Sequence, residues 1–152
     1  MVKIKELAKD NSTAAKTATE EDVVNFQNKN RISLPRDLIE YFRFFNGTSS
    51  EYNARWFCFY SLMEFQPLGQ KFEEWIGIPN YQNIVKTLDQ HENCYAFADY
   101  QCHLFTYAIR LYQIDSFKNE IYVVCGAEFR LIANTFTEFV EKYLDDSNDL
   151  QF

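Results

Sequence analysis

Few residues in this 152-residue chain combine the types and spacing that chemistry needs. One such set is His91-x-x-Cys94 with Cys102-His103. Two imidazoles and two thiols suffice for tetrahedral zinc, but structural zinc sites usually draw on Cys-x-x-Cys knuckles, and the chain has none. Three of its four cysteines sit in apolar strand-like runs, such as Phe57-Cys58-Phe59 and Val124-Cys125, where Cys behaves as a small buried hydrophobe. The expectation is four free thiols, no metal and no cofactor. A Cys-His nucleophilic dyad has no local signature here. Gly-x-Ser-x-Gly, a phosphate-cradling glycine loop and a dinucleotide fingerprint are all missing from the sequence. The chain reads as a non-enzyme.

Binding chemistry is better represented. Phe72-Glu73-Glu74-Trp75 places two carboxylates beside an indole, in the least regular stretch of the sequence. Asp99-Tyr100 and Asp115 put acids and an aromatic where turns are expected at the ends of strands. Glu73, Glu74, Trp75, Asp99, Tyr100 and Asp115 are therefore the candidate partner-binding residues. Each also has an ordinary explanation, namely a buried Trp and solvated turns. Arg55-Trp56 and Arg110-Leu111-Tyr112 are too isolated to build a nucleic-acid face.

Charge favours the same class of function. The net charge is −7 and the first 18 residues carry a net +2, so the remainder carries −9. Nucleic acid and anionic membranes repel such a surface, whereas a basic protein is steered toward it. The hydrophobic fraction is 47% and the charged fraction 24%, values of a folded domain, with an unusual 18% of aromatics. No apolar run approaches the ~18 residues of a membrane span, and the first residues do not resemble a signal peptide. A cytoplasmic location is expected.

These candidates must be positioned by the elements the sequence patterns predict. Ile4, Leu7 and Ala8 suggest a short first helix, and Asn11 to Thr17 a loop. Thr19 followed by Glu20, Glu21 and Asp22 caps a second helix that turns Val23 and Phe26 inward and ends near Asn30. Pro35 opens a third as its first residue, with Leu38, Ile39, Phe42 and Phe45 as its stripe and Asn46-Gly47 as its stop. Trp56 to Tyr60 reads as a doubly buried strand, and Tyr81, Ile84, Val85 and Leu88 as a helix. Cys94 to Ala98, Phe105 to Leu111 and Glu120 to Cys125 read as strands, with a short fourth at Phe129 to Ala133. Thr135-Phe136-Thr137-Glu138 forms a capping box for a last helix through Leu144. The fold class is α+β: one domain over 1–152, an antiparallel sheet between N-terminal helices and a C-terminal helix, with an acidic tail at 146–152.

The ordered set of blocks resembles the SUKH superfamily, which joins fungal cell-wall assembly regulators to bacterial toxin-immunity proteins. Thr19-Glu20-Glu21-Asp22-Val23 is similar to the family's opening, Ile32-Ser33-Leu34-Pro35 to its Gly-Ile-x-Leu-Pro, and Phe42-x-x-x-Asn46-Gly47 to its Phe…Asn-Gly. Tyr95-Ala96-Phe97-Ala98-Asp99 is similar to its strand with an acidic end, and 133–144 to its closing helix. The chain departs from the pattern at Asn30-Arg31, where a Gly usually precedes the Ile, and at Tyr100-Gln101-Cys102-His103. The resemblance implies a protein-binding fold without catalytic residues, as a bacterial immunity protein against a toxin, often a nuclease, or as a regulatory scaffold of the fungal type. A basic toxin domain is the expected partner, bound by a monomer or weak dimer.

Overall fold

The computed structural model describes residues 2–11 and 15–152. Three helices come first: α1 (Val2–Asp10), α2 (Glu20–Asn30) and α3 (Arg36–Phe44). Ile4 and Leu7 bury one side of α1. Of the loop expected from Asn11 to Thr17, residues 12–14 lie outside the described residues; Asn11 itself is buried, its amide donating to the Leu7 carbonyl at 2.8 Å.

The α2 start follows the sequence pattern. Thr19 Oγ1 accepts the Asp22 N–H at 3.1 Å, and the Asp22 carboxylate accepts the Thr19 N–H at 2.8 Å, which holds that carboxyl below its ordinary range. Pro35 stands one residue outside α3, at its cap rather than in its first position. Asn46 and Gly47 end that region with φ of 55° and 87°. Gly47 is required twice over, because a Cβ there would also stand 2.6 Å from the Phe59 carbonyl oxygen.

Six antiparallel strands follow: β1 (Phe57–Phe59), β2 (Gln66–Pro67), β3 (Cys94–Tyr100), β4 (Phe105–Arg110), β5 (Ile121–Cys125) and β6 (Glu128–Ala133). They run in the order β1-β3-β4-β5-β6, with β2 also paired to β3. Two further helices, α4 (Leu68–Lys71) and α5 (Phe136–Leu144), complete an α+β fold. Trp56 is not part of β1, since its left-handed backbone (φ 65°) turns the indole out to solvent. Tyr81 to Lys86 wind as a 3₁₀ helix instead of an α-helix, which leaves Val85 exposed.

Successive residues of β4 point to opposite faces of the sheet, and both faces are buried. Tyr107 and Ile109 join the large core beneath α1, α2, α3 and α5, while Ala108 joins a second core with Ala96, Val124 and Tyr122. The reason is segment 60–90, whose Leu68, Phe72, Tyr81, Ile84 and Leu88 fold over the far face and dry it.

At α5, Thr135 accepts the Glu138 N–H at 3.1 Å, as expected of a cap. Glu138, however, accepts the N–H of Asn134 rather than that of Thr135, so the box is displaced by one residue. Asp37 of α3 accepts both the N–H and the hydroxyl of Thr137, tying the two helix starts together. The acidic tail also folds back: Leu150 is buried, its carbonyl accepts the Tyr107 hydroxyl at 2.9 Å, Asp149 pairs with Lys142 and Asp146 with Arg55.

Candidate functional site

The acid at the end of β3 is not in a turn. Asp99 lies within the strand and is 1% exposed, so its assignment to an exposed loop is corrected. A β-bulge between Ala96 and Ala98 decides which way it points. Phe97 and Ala98 both enter the large core, and the parity of the following residues is thereby reversed. Asp99 consequently faces the second core beside Cys58, while Tyr100 faces the helices and packs on Phe57 and Phe105. Without the extra residue the carboxylate would point into the large aromatic core instead, away from Tyr52 and Tyr60.

On its own side Asp99 is well supplied. It accepts the hydroxyl of Tyr52, that of Tyr60 at 2.7 Å, and the backbone N–H of His103 at 3.3 Å. The Tyr60 hydroxyl is pushed far above its ordinary range by burial and then by the adjacent carboxylate, and Tyr52 is raised for the same reasons. Burial, reinforced by Asp99, also lifts the Cys58 thiol to about 11, which favours the thiol over the thiolate at neutral pH.

These contacts support an unusual turn. Gln101, Cys102 and His103, which join β3 to β4, all have left-handed backbones, with φ of 47°, 54° and 67°. Each non-glycine residue so placed costs roughly 1 kcal/mol or more. The turn is clamped at His103, whose N–H is held by Asp99 and whose carbonyl accepts the Tyr81 hydroxyl at 2.7 Å. Its imidazole lies edge-on to Trp75, with ring centroids 4.7 Å apart, and Nδ1 lies 3.4 Å from Asp99 Oδ2 without the alignment of a hydrogen bond.

Through Trp75 this turn meets a second loop, Glu73–Asn80. Trp75 Nε1 donates to the Pro79 carbonyl at 3.0 Å, closing the loop on itself. The Gln82 amide donates to the carbonyls of Phe72 and Glu73, fixing its base. A Cβ on Gly77 would stand 2.8 Å from the Trp75 ring, so the chain passes closely over the indole. Glu73 and Glu74 are exposed at one end of this bracket. Ile76 and Ile78 are each 97% exposed at its tip.

The structure thus brings Glu73, Glu74 and Trp75 together with the Asp99–His103 turn, with Asp99 beneath the surface as a support. Tyr100 is half-buried on the opposite face of the sheet, and Asp115 lies at the other end of it, in the β4–β5 loop with the exposed Ile114 and Phe117. Sequence reasoning did not single out Ile76 and Ile78, although apolar residues interleaved with Gly77 and Pro79 fit no regular element. It also missed Tyr52, Tyr60 and Tyr81 as supports, because nothing local marks which tyrosines meet Asp99.

The His and Cys residues considered as a zinc set are not brought together. His91 and Cys94 sit at one end of β3, Cys102 and His103 beyond the other, some ~20 Å of extended chain apart. Among the described residues no group of three or more His, Cys, Asp or Glu could hold a metal ion, and no helix is long and apolar enough to cross a membrane. No curated protein matches the chain. The model of the SMI1 / KNR4 family (SUKH-1) matches residues 17–142. That span runs from just before the α2 cap through most of α5 and takes in both loops described above, so the chain belongs to the SMI1 / KNR4 family (SUKH-1).

Proposed function

We propose that this chain is a non-enzymatic protein-binding module of the immunity type, which binds a cognate basic toxin domain and blocks it. The observation that carries the reading is the Glu73–Asn80 bracket. Three side-chain hydrogen bonds order it, yet its two isoleucines bury almost nothing in the folded chain. Fixed apolar tips of this kind are suited to fill a pocket on a partner, with Glu73 and Glu74 as a rim for basic groups. Asp115, at the far end of the sheet, and Tyr100 are secondary candidates for the same contact. A net charge of −7 favours encounter with a nuclease, whose surface is built to bind phosphates. Family membership supports protein binding; the immunity role, and action inside the producing cell, rest on the charge and the bracket.

The test is co-expression with the product of the adjacent upstream gene. An immunity protein restores growth to cells expressing that toxin, and Ile76→Asp with Ile78→Asp abolishes protection while leaving the melting temperature unchanged. Full protection by this double variant would remove the bracket from the interface. Failure to bind or protect at all would favour the alternative, a regulatory scaffold of the cell-wall-assembly type.

A further inference from the structure

The two edges of the sheet are treated differently. At β1 the outer backbone groups are all answered from nearby chain. Thr48 N–H donates to the Phe59 carbonyl at 3.0 Å and Thr48 Oγ1 accepts the Phe59 N–H at 3.1 Å. Asn53 does the same for Phe57, at 2.9 and 3.0 Å. At β6, among the described residues, no other segment's backbone bonds to 128–133 beyond the β5 ladder. One outside side chain reaches it, Lys142 Nζ on the Ile132 carbonyl at 2.7 Å. Along this edge Phe129 and Leu131 are 38% and 47% exposed on the same face, Phe129 resting edge-on against Tyr122. Bare edges are usually covered or blunted, since they present unpaired donors and acceptors to other chains.

We infer that β6 pairs with β6 of a second copy of this chain, antiparallel about a two-fold axis through Phe129, to form one continuous sheet. The charges argue for a second copy over any other strand. A two-fold axis perpendicular to the sheet keeps inner and outer faces matched only in registers where paired residue numbers share parity. Centring on Arg130 would set two guanidinium groups against each other. Centring on Phe129 sets Glu128 opposite Arg130 of the second copy and Arg130 opposite its Glu128, with the two phenyl rings side by side. Opposite charges and aromatic pairs directly across a ladder are both favourable. Arg130 remains available as a cation, because its own hydrogen bonds go to the neutral carbonyls of Asp149 and Gln151. In this register only residues 128–130 of the two strands lie opposite one another, with Leu131 reaching the β5–β6 turn of the second copy, so the contact falls well below the ~1,200 Å² of a standard stable interface and the dimer is weak and concentration-dependent.

Sedimentation of the full chain at low salt tests this. The expected result is a species of twice 18.1 kDa that grows with concentration. Glu128→Arg alone, or Arg130→Glu alone, places like charges at two symmetric positions and weakens self-association about tenfold. The double variant Glu128→Arg/Arg130→Glu restores it, which loss of folding could not do. Because Arg130 also holds the C-terminal segment, Glu128→Arg with unchanged circular dichroism is the deciding single variant. A monomer at every concentration overturns the inference. So does a double variant that stays folded but monomeric, or a Glu128→Arg effect seen only on binding to a different protein. None of these bears on the bracket at Glu73–Asn80.

Discussion

At the scale of single residues, Asp99 governs the candidate site although it is not on its surface. One carboxylate serves three donors: two tyrosine hydroxyls and the N–H of a left-handed residue. Asp99→Ala would leave the buried Tyr60 hydroxyl, and the half-buried donors of Tyr52 and His103, without their acceptor. At about 1–3 kcal/mol for a buried orphaned group and less for the two half-buried ones, the variant should lose ~3 kcal/mol in urea unfolding and release the 101–103 turn. A change below ~1 kcal/mol would show that the network is not needed. The tyrosines make a second, pH-dependent case. Burial raises Tyr41, Tyr60, Tyr81 and Tyr107 above their ordinary value of 10. A raised folded value means the unfolded chain gives up its proton first. Their contribution is therefore intact below about pH 10 and is lost as pH rises beyond it, each such tyrosine steepening the loss by ~1.4 kcal/mol per pH unit. Absorbance titration should find these hydroxyls silent until the protein unfolds in one steep alkaline step. Gradual ionisation of all ten tyrosines from pH 10, with the fold intact, would contradict their burial.

At the scale of elements, what could be read from the sequence is what local chemistry controls. Thr19 and Asp22, Asn46-Gly47 and Thr135 act within a few residues of themselves, and each ends or starts a helix where its side chain or φ requires. The bulge at Ala96–Ala98 was not legible, because Tyr95 to Asp99 alternates in no way that shows an extra residue; only the pairing with Tyr107 and Ala108 reveals it. The 3₁₀ helix at Tyr81–Lys86 likewise carries an α-helical pattern but is docked through the hydroxyl of Tyr81 and the cap of Asn80. Glu138 reaches Asn134, while Asp37, 100 residues away in sequence, accepts the N–H of Thr137 and helps fix the first turn of α5. That arrangement sharpens one expectation. Thr135→Ala removes one of three acceptors at this helix start and should cost ~1 kcal/mol in chemical denaturation. Asp37→Ala, which also unties α3 from α5, should cost more. Equal or reversed effects would place the stability of α5 elsewhere.

At the scale of the whole molecule, the question is how an acidic protein of this shape would meet its partner. The carboxylates and the apolar tips of the Glu73–Asn80 bracket should act at different stages of binding. Glu73 and Glu74 are exposed, and rim charges speed encounter by long-range attraction that salt screens over a Debye length of ~8 Å at physiological strength. Ile76 and Ile78 act only after contact, by excluding water from a pocket, and so should set how long the complex lasts. Association with the basic toxin domain proposed as partner should therefore slow steeply between low and high salt while dissociation changes little. Glu73→Lys with Glu74→Lys should slow association further and flatten its salt dependence. Ile76→Asp should instead accelerate dissociation at every salt concentration, because desolvation of the tip is not screened. Surface plasmon resonance across a salt series separates the two. If association is insensitive to salt, net charge serves solubility alone, yet a dissociation rate that still answers to Ile76 would keep the bracket as the binding surface, because that arm depends on shape and burial and owes nothing to charge.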